Sequence, residues 1–295
     1  MDDLTNDPRV IETAEAISSA ETLLIGAGAG LSAAAGYDFT SKEKFARDYP
    51  AMLQYGLSQK IQMMANFSVG ENLLWGYYLQ NVAETRFDNQ RSHPGYKELK
   101  QLSEFVNDWF VITTNVDALF ERNGFNIEQI YTPQGDYGVG QCRTPCTNTT
   151  WSSKPWIDTL LPQVNRTTQM LDDALLPRCP NCGGKVFFNV RCAHWFVDAP
   201  WEPGRLAWQK WQQKTVRSRV VAIDIGSGFN TPMWVRWPLE EITTRNPANR
   251  LIRLNRDQPE VPKQINKQSI QFRENPEAVL RAILKRLPRN LSNHK

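Results

Sequence analysis

The chain has 295 residues, enough for one α/β domain carrying an insertion or for two modest domains, and either arrangement buries a sizeable core. Apolar residues make up 41% and charged residues 22%, a globular composition, and a net charge of +3 with Lys and Arg spread along the chain gives no basic tail for nucleic acid. The acidic start Met1-Asp2-Asp3-Leu4 has the character of neither a signal nor a transit peptide, and no apolar run reaches membrane-spanning length; a cytoplasmic protein is expected, whose five cysteines are not disulfides.

Asp7-Pro8 predicts a helix start, with Val10, Ile11, Ala14 and Ile17 on one buried face. The apolar run 22–27 then enters Gly28-Ala29-Gly30-Leu31-Ser32, which reads as a buried strand turning sharply into a helix. Glycines at such a turn admit positive φ and a close backbone approach to a pyrophosphate, with helix-start N–H groups aimed at its oxygens. Gly28-x-Gly30-x-x-Ala33 fits the loose dinucleotide fingerprint. A plain strand-to-helix turn fits this stretch equally well.

Residues 41–86 hold two amphipathic helical patterns, at 51–66 and 71–83, with no strand signal between them. Pro94 opens a helix through Leu99 and Leu102, and Trp109-Phe110-Val111-Ile112-Thr113 is a second buried strand ending in Thr114-Asn115-Val116-Asp117. A short helix stopped by Gly124 leads to a third strand at 127–132, which runs into Pro133-Gln134-Gly135-Asp136. Polar groups at the carboxyl ends of parallel strands are where α/β sheets bind ligands. From Gly138 to about Pro203 turn formers, cysteines and tryptophans replace periodic apolar positions, and this stretch reads as an insertion. A helix at 205–214, a strand at 220–225 with its own Gly226-Ser227-Gly228, a helix near Pro232, strands at 250–254 and 269–272 and a helix at 276–286 complete the chain. Alternating strands and helices predict a parallel sheet covered on both faces.

Within the insertion, Cys142-x-x-x-Cys146 and Cys179-x-x-Cys182 are two close pairs whose meeting makes a tetrahedral four-thiolate zinc site, with Pro180, Gly183 and Gly184 suited to the tight turn. A site filled by four protein ligands is structural, so zinc is not the catalyst. Cys192 is left over, as a small buried residue.

Six segments in order resemble the sirtuins. Gly28-Ala29-Gly30-Leu31-Ser32 matches G-A-G-[IL]-S and Thr113-Thr114-Asn115-Val116-Asp117 matches T-Q-N-[IV]-D. The cysteine pairs sit where sirtuins bind zinc, and Arg191 ahead of Trp195-Phe196 matches the arginine of R-P-x-[VI]-V-x-F. Gly226-Ser227 falls at G-T-S, and Leu251-Ile252-Arg253-Leu254-Asn255 resembles L-[IV]-x-[IV]-N. The resemblance implies a Rossmann-like NAD-binding domain (1–40, 88–137 and 204–295) and a small domain built from a helical module (41–87) and a zinc-binding module (138–203), with NAD in the cleft between them. It implies cofactor contacts at Ala27, Gly28, Ala29, Gly30, Ser32, Gly36, Asn115, Asp117, Gly226, Ser227 and Asn255.

Departures from the pattern are equally informative. The histidine of the deacylases' H-G motif is replaced in Pro133-Gln134-Gly135, and a glutamine amide cannot serve as a general base near neutral pH. His93 reads as a helix-start residue, His194 as packed in the zinc module and His294 as part of the tail. Gly36-Tyr37-Asp38-Phe39 lacks the family's arginine, Thr114 replaces glutamine and Gly228 replaces serine. Glutamine in the histidine place resembles the macrodomain-associated sirtuins, which implies protein ADP-ribosyltransfer to a lipoyl-carrier, H-like protein and a partner macrodomain hydrolase. Asn115, Gln134 and Arg191 are then the catalytic candidates: Asn115 to hold ribose hydroxyls or a water, Gln134 to orient ribose or acceptor, Arg191 to place an acidic acceptor, with Asp117 on the nicotinamide carboxamide. An NAD-dependent deacylase and a non-catalytic NAD-sensing module are the alternatives.

Overall fold

The computed structural model describes residues 4–64, 66–88 and 93–288; Met1, Asp2 and Asp3 of the acidic start and the tail residue His294 lie outside them. Asp7 caps the first helix by accepting a hydrogen bond from the Arg9 amide at 2.8 Å, with Pro8 in the first helical position. Helix α1 (Pro8–Ser18) leads to β1 (Thr22–Ala27) and α2 (Ala29–Ala34). Then come α3 (Lys42–Asp48), α4 (Glu71–Val82), α5 (Pro94–Ser103), β2 (Asp108–Thr113), α6 (Leu119–Arg122) and β3 (Ile130–Tyr131). Strands β4 (Gly135–Cys142) and β5 (Trp151–Ser152), helix α7 (Lys154–Leu160) and β6 (Val186–Val190) follow. The chain ends with α8 (Glu202–Lys214), β7 (Val220–Ile225), α9 (Arg236–Arg245), β8 (Arg250–Leu254), β9 (Ser269–Phe272) and α10 (Pro276–Arg286).

Six strands form a parallel sheet in the order β3-β2-β1-β7-β8-β9. Every residue of β1 and β7 is buried, because side chains leave a strand alternately to its two faces and both faces here are covered. Leu23, Ile25, Val221 and Ile223 pack with Val10, Leu99 and Val279 of α1, α5 and α10. Leu24, Val220 and Ala222 pack with Trp208, Trp211, Leu239 and Ile242 of α8 and α9. This is the Rossmann-like sheet that the alternation of elements predicts.

The smaller part is an antiparallel sheet, β5-β4-β6, that shares one apolar cluster with α4. Trp75 stands edge-on to Trp156, with ring centroids 5.2 Å apart, and Tyr78 meets Phe187 at 4.7 Å. Helix α4 is therefore buried almost all round, where its sequence reads as amphipathic. The pattern at 51–66 is not an α-helix: it breaks into 3-10 turns at Pro50–Tyr55 and Lys60–Met63, because Gly56 takes φ +74° and Met64 is extended. The strand expected at 127–132 is also shorter. Asn126 caps a 3-10 turn over Ile127–Gln129 and only Ile130–Tyr131 pairs. In α1 the buried positions are Val10, Thr13, Ala14 and Ile17, with Ile11 half-buried. His194 is exposed, contrary to the expectation that it packs in the zinc module, and Cys192 is half-buried.

Candidate functional site

Backbone register aligns Ala27 with Thr113 on one side and with Ile225 on the other, and Ile225 with Leu254. Four strands thus end in one row, and their loops emerge side by side. Since β1 lies between β2 and β7, the order of connection reverses there, which is the position where open parallel sheets bind ligands.

Two of those loops interlock. Gly28 N donates to Ile225 O at 2.9 Å and Gly30 N to Gly226 O at 3.2 Å. A Cβ on Gly28 would stand 2.6 Å from Gly226 O. Neither Gly28 nor Gly30 has positive φ; Gly226 does, at +65°. The sequence expectation is corrected here: the close approach these glycines permit is between two loops of the chain itself, and their two N–H groups are engaged by protein carbonyls. Ala27 O accepts from Thr113 Oγ1 at 3.0 Å and Thr114 N at 3.1 Å, while Ala29 is exposed. Gly36 ends the turn after α2 with φ +96°, and Lys44 Nζ donates to its carbonyl. Asn255 Nδ2 donates to Ser227 O at 2.8 Å, joining the β8 loop to the β7 loop.

Asp117 and Ser32 meet across this edge: Ser32 Oγ donates to Asp117 Oδ2 at 2.6 Å, and Leu119 N donates to Oδ1 at 3.0 Å. Burial pushes the Asp117 carboxyl above its ordinary value, with the Ser32 hydroxyl and the Leu119 amide pulling the other way. Asn115, 8% exposed, has its backbone N–H on Thr113 Oγ1 at 3.1 Å, and its side-chain Nδ2 is buried without a partner. An orphaned buried donor at a strand end points to a group outside the chain.

Gln134 lies at the joint between the two sheets, after β3 and immediately before β4. Gly135, with φ +88°, pairs with Val190, so Gln134 and Arg191 are neighbours across the ladder, and Arg191 N donates to Gln134 O at 2.9 Å. The Gln134 side chain is half-buried and has no hydrogen-bond partner among the described residues. The Arg191 guanidinium packs over Phe196 at 4.1 Å and Trp234 at 5.3 Å, donates Nε to Pro133 O at 2.8 Å and pairs with Asp198. Tyr137 N donates to Val116 O at 2.9 Å, which fastens the Asn115–Asp117 turn to β4. The next acid along, Asp136, is taken by Arg86 at 2.7 Å and serves the joint itself.

The two cysteine pairs come together. Cys142 Sγ and Cys182 Sγ are 3.7 Å apart, Cys146 Sγ and Cys179 Sγ 3.6 Å, and all four lie within 4.8 Å of one another. Four thiolates on a tetrahedral zinc ion at the usual bond length stand about 3.8 Å apart, so the donor set fits structural zinc. Cys192 is not part of the group, and burial pushes its thiol up to about 11.

No family model matches the chain. Among solved structures it is similar to a mutant Sir2 homologue in complex with ADP-ribose, at 17% identity and a TM-score of 0.60 over 93% of this chain and 96% of that one. A probable bifunctional ADP-ribose hydrolase/ADP-ribosyltransferase of Fusarium oxysporum f. sp. cubense is 36% identical over 247 residues, 81% of this chain, and the match spans 41% of that relative's length. A protein ADP-ribosyltransferase of Staphylococcus aureus is 24% identical over 288 residues, 97% of this chain and 89% of the relative. The Sir2 fold carries the six motif segments at its strand ends, its joint and its cysteine cluster. The chain shares the fold of the Sir2 structures.

Sequence reasoning missed one set of residues. Asp224 and Arg253 lie inside buried, mainly apolar runs of β7 and β8, and beside them stand Arg236 and Glu240 of α9. A charged residue within each of two buried runs was the signal.

Proposed function

We propose that this chain is a sirtuin-type NAD-dependent protein mono-ADP-ribosyltransferase, moving ADP-ribose to an acceptor protein with release of nicotinamide. The observation that carries the reading is Gln134, an amide at the joint with no hydrogen-bond partner among the described residues, with Arg191 beside it. Of the described histidines, His93 is buried and hydrogen-bonded to Tyr37 at 3.3 Å, and His194 is exposed.

The orphaned Asn115 Nδ2, the buried Asp117 and the row of strand ends fit a dinucleotide. When bound, NAD supplies a ribose carbon made reactive by departure of nicotinamide. Asn115 holds a ribose hydroxyl, Asp117 accepts from the carboxamide and Gln134 orients ribose or acceptor by hydrogen bonds. Gln134 takes no proton, so the acceptor has to arrive already nucleophilic, as a carboxylate does at neutral pH. Arg191 holds a carboxylate in this structure, that of Asp198, and the same guanidinium suits an acidic acceptor.

Both curated relatives named above carry ADP-ribosyltransferase in their names, which supports this reading. A lipoyl-carrier, H-like acceptor and a separate macrodomain hydrolase rest on the family resemblance, the hydrolase also on the bifunctional name of the Fusarium relative. Among the described residues no helix is long and apolar enough to cross a membrane.

The test is incubation with labelled NAD and acetylated or unmodified acceptor proteins, read by mass spectrometry. ADP-ribose on the acceptor is the expected result. Robust loss of acetyl groups with no ADP-ribose on any acceptor overturns the reading in favour of the deacylase.

A further inference from the structure

Asp224 of β7 and Arg253 of β8 face each other across the parallel ladder, and both are fully buried, at 0% exposure. Arg253 Nε donates to Asp224 Oδ2 at 2.9 Å, Nη1 donates to Glu260 O at 2.7 Å, and Nη2 stands 2.8 Å from Glu240 Oε1. Arg236, equally buried, donates Nη1 to Ser227 O at 3.2 Å and Gln258 O at 3.1 Å, and Nη2 to Glu260 O at 2.6 Å. The Ser227 hydroxyl donates to Asp224 Oδ2 at 2.7 Å, and Asn255 Oδ1 accepts from Gln258 N at 2.9 Å.

Most bonds of this network end on one of two loops, residues 226–228 after β7 and 255–260 after β8. Burying such charges is costly, and apolar residues of similar volume would hold a sheet-to-helix interface as well or better. Stability alone therefore does not account for the arrangement. What the guanidinium groups do, and apolar side chains cannot, is donate to the carbonyls of Ser227, Gln258 and Glu260 and so tie the two loops to β8 and α9.

We propose that Asp224, Arg253, Arg236 and Glu240 are positioning residues for the cofactor: they fix the backbone of both loops, and with it Ser227 and Asn255, before the dinucleotide arrives. This rests on reading the strand-end row as the NAD site. The network touches neither the joint at Gln134 nor the Asn115–Asp117 turn, so its loss weakens capture of NAD and leaves the chemical step.

The experiment compares Arg236→Met, Arg236→Lys, Arg253→Met and the paired Asp224→Leu/Arg253→Met replacement in the full chain. NAD affinity is read by calorimetry, kcat and KM by nicotinamide release, and folding by thermal melting. Arg236→Met should raise the Kd and KM for NAD on the order of tenfold, the scale for losing a charge-assisted hydrogen bond, with kcat little changed. Arg236→Lys, which keeps a cation but not the fork, should recover part of the affinity. The paired replacement should melt above the single Arg253→Met variant, because no unpaired charge is left buried, and still bind NAD weakly. Should Arg253→Met fail to fold, the two Arg236 variants carry the comparison. Wild-type NAD affinity in a folded paired variant or in Arg236→Met shows a merely structural network and overturns the proposal alone. A wild-type chain that binds no NAD overturns the reading of the cleft, and the proposal with it.

Discussion

Gly30 and Gly226 leave no room for a side chain between them: a Cβ on Gly30 would lie 2.5 Å from Gly226 Cα, and one on Gly226 2.3 Å from Gly30 Cα. Both obstacles are backbone, which cannot rotate aside. Even Gly30→Ala should therefore cost stability, by about 1–3 kcal/mol, the scale for overpacking a filled interior. NAD binding should fall with it, because the loop after β7 moves. Gly95→Ala is the control, since its Cβ meets only a Leu31 methyl at 3.6 Å. Denaturant unfolding and calorimetry with NAD check both; a Gly30→Ala protein as stable as Gly95→Ala would refute the interlock.

The cysteine cluster should hold zinc that maintains the small sheet. Metal analysis should find it in the purified chain, and Cys179→Ser or a strong chelator should loosen the module that contains Trp151, Trp156 and Trp195. Near-UV circular dichroism reads those rings. A folded, active, metal-free Cys179→Ser protein would show that zinc has no structural part.

Asp117 carries a pH signature. Burial raises its folded-state pKa, so the folded chain holds the proton more tightly than the unfolded chain. Its contribution to stability therefore falls as pH rises through the window just above the ordinary carboxylate value and is regained below that window. Asp117→Asn should abolish this dependence, seen as a flatter melting temperature against pH. Nicotinamide release by the variant should drop by roughly tenfold or more if the carboxylate engages the substrate. Unchanged turnover would confine Asp117 to its bonds with Ser32 and Leu119.

Gln134→Ala and Asn115→Ala should each reduce ADP-ribose transfer on the order of tenfold to thousandfold, the range for removing one positioned hydrogen-bonding group. Gln134→His is not expected to produce an efficient deacylase, because Tyr37 and Thr114 also depart from the deacylase pattern. Efficient acetyl-lysine turnover by Gln134→His would show that this position alone selects the chemistry.

Arg191→Lys should lose most of the contribution of Arg191, since an ammonium lacks the planar guanidinium that packs on Phe196 and Trp234 while bonding Pro133 O. The loss is expected in the apparent KM for the acceptor, measured at saturating NAD. An unchanged KM would reduce Arg191 to a partner of Asp198.

The sequence by itself determined what depends on neighbours along the chain. Apolar runs such as Val220-Val221-Ala222 give buried strands, Asp7-Pro8 gives a helix start, and closely spaced cysteine pairs give half of a metal knuckle each. The order of six motifs was enough to anticipate the Sir2 fold and to see that Gln134 stands where a histidine is usual in the motif. The tertiary structure decided what depends on distant segments meeting. It turned the N–H groups of Gly28 and Gly30 onto the β7 loop, where a one-dimensional reading had aimed them at phosphate. It set Arg191 beside Gln134 through the pairing of β4 with β6, and Asp224 against Arg253 through the register of β7 with β8. It also broke the 51–66 pattern into turns and buried α4 almost all round. Periodicity records which face of an element is apolar; which partner covers that face is fixed only when the whole chain packs.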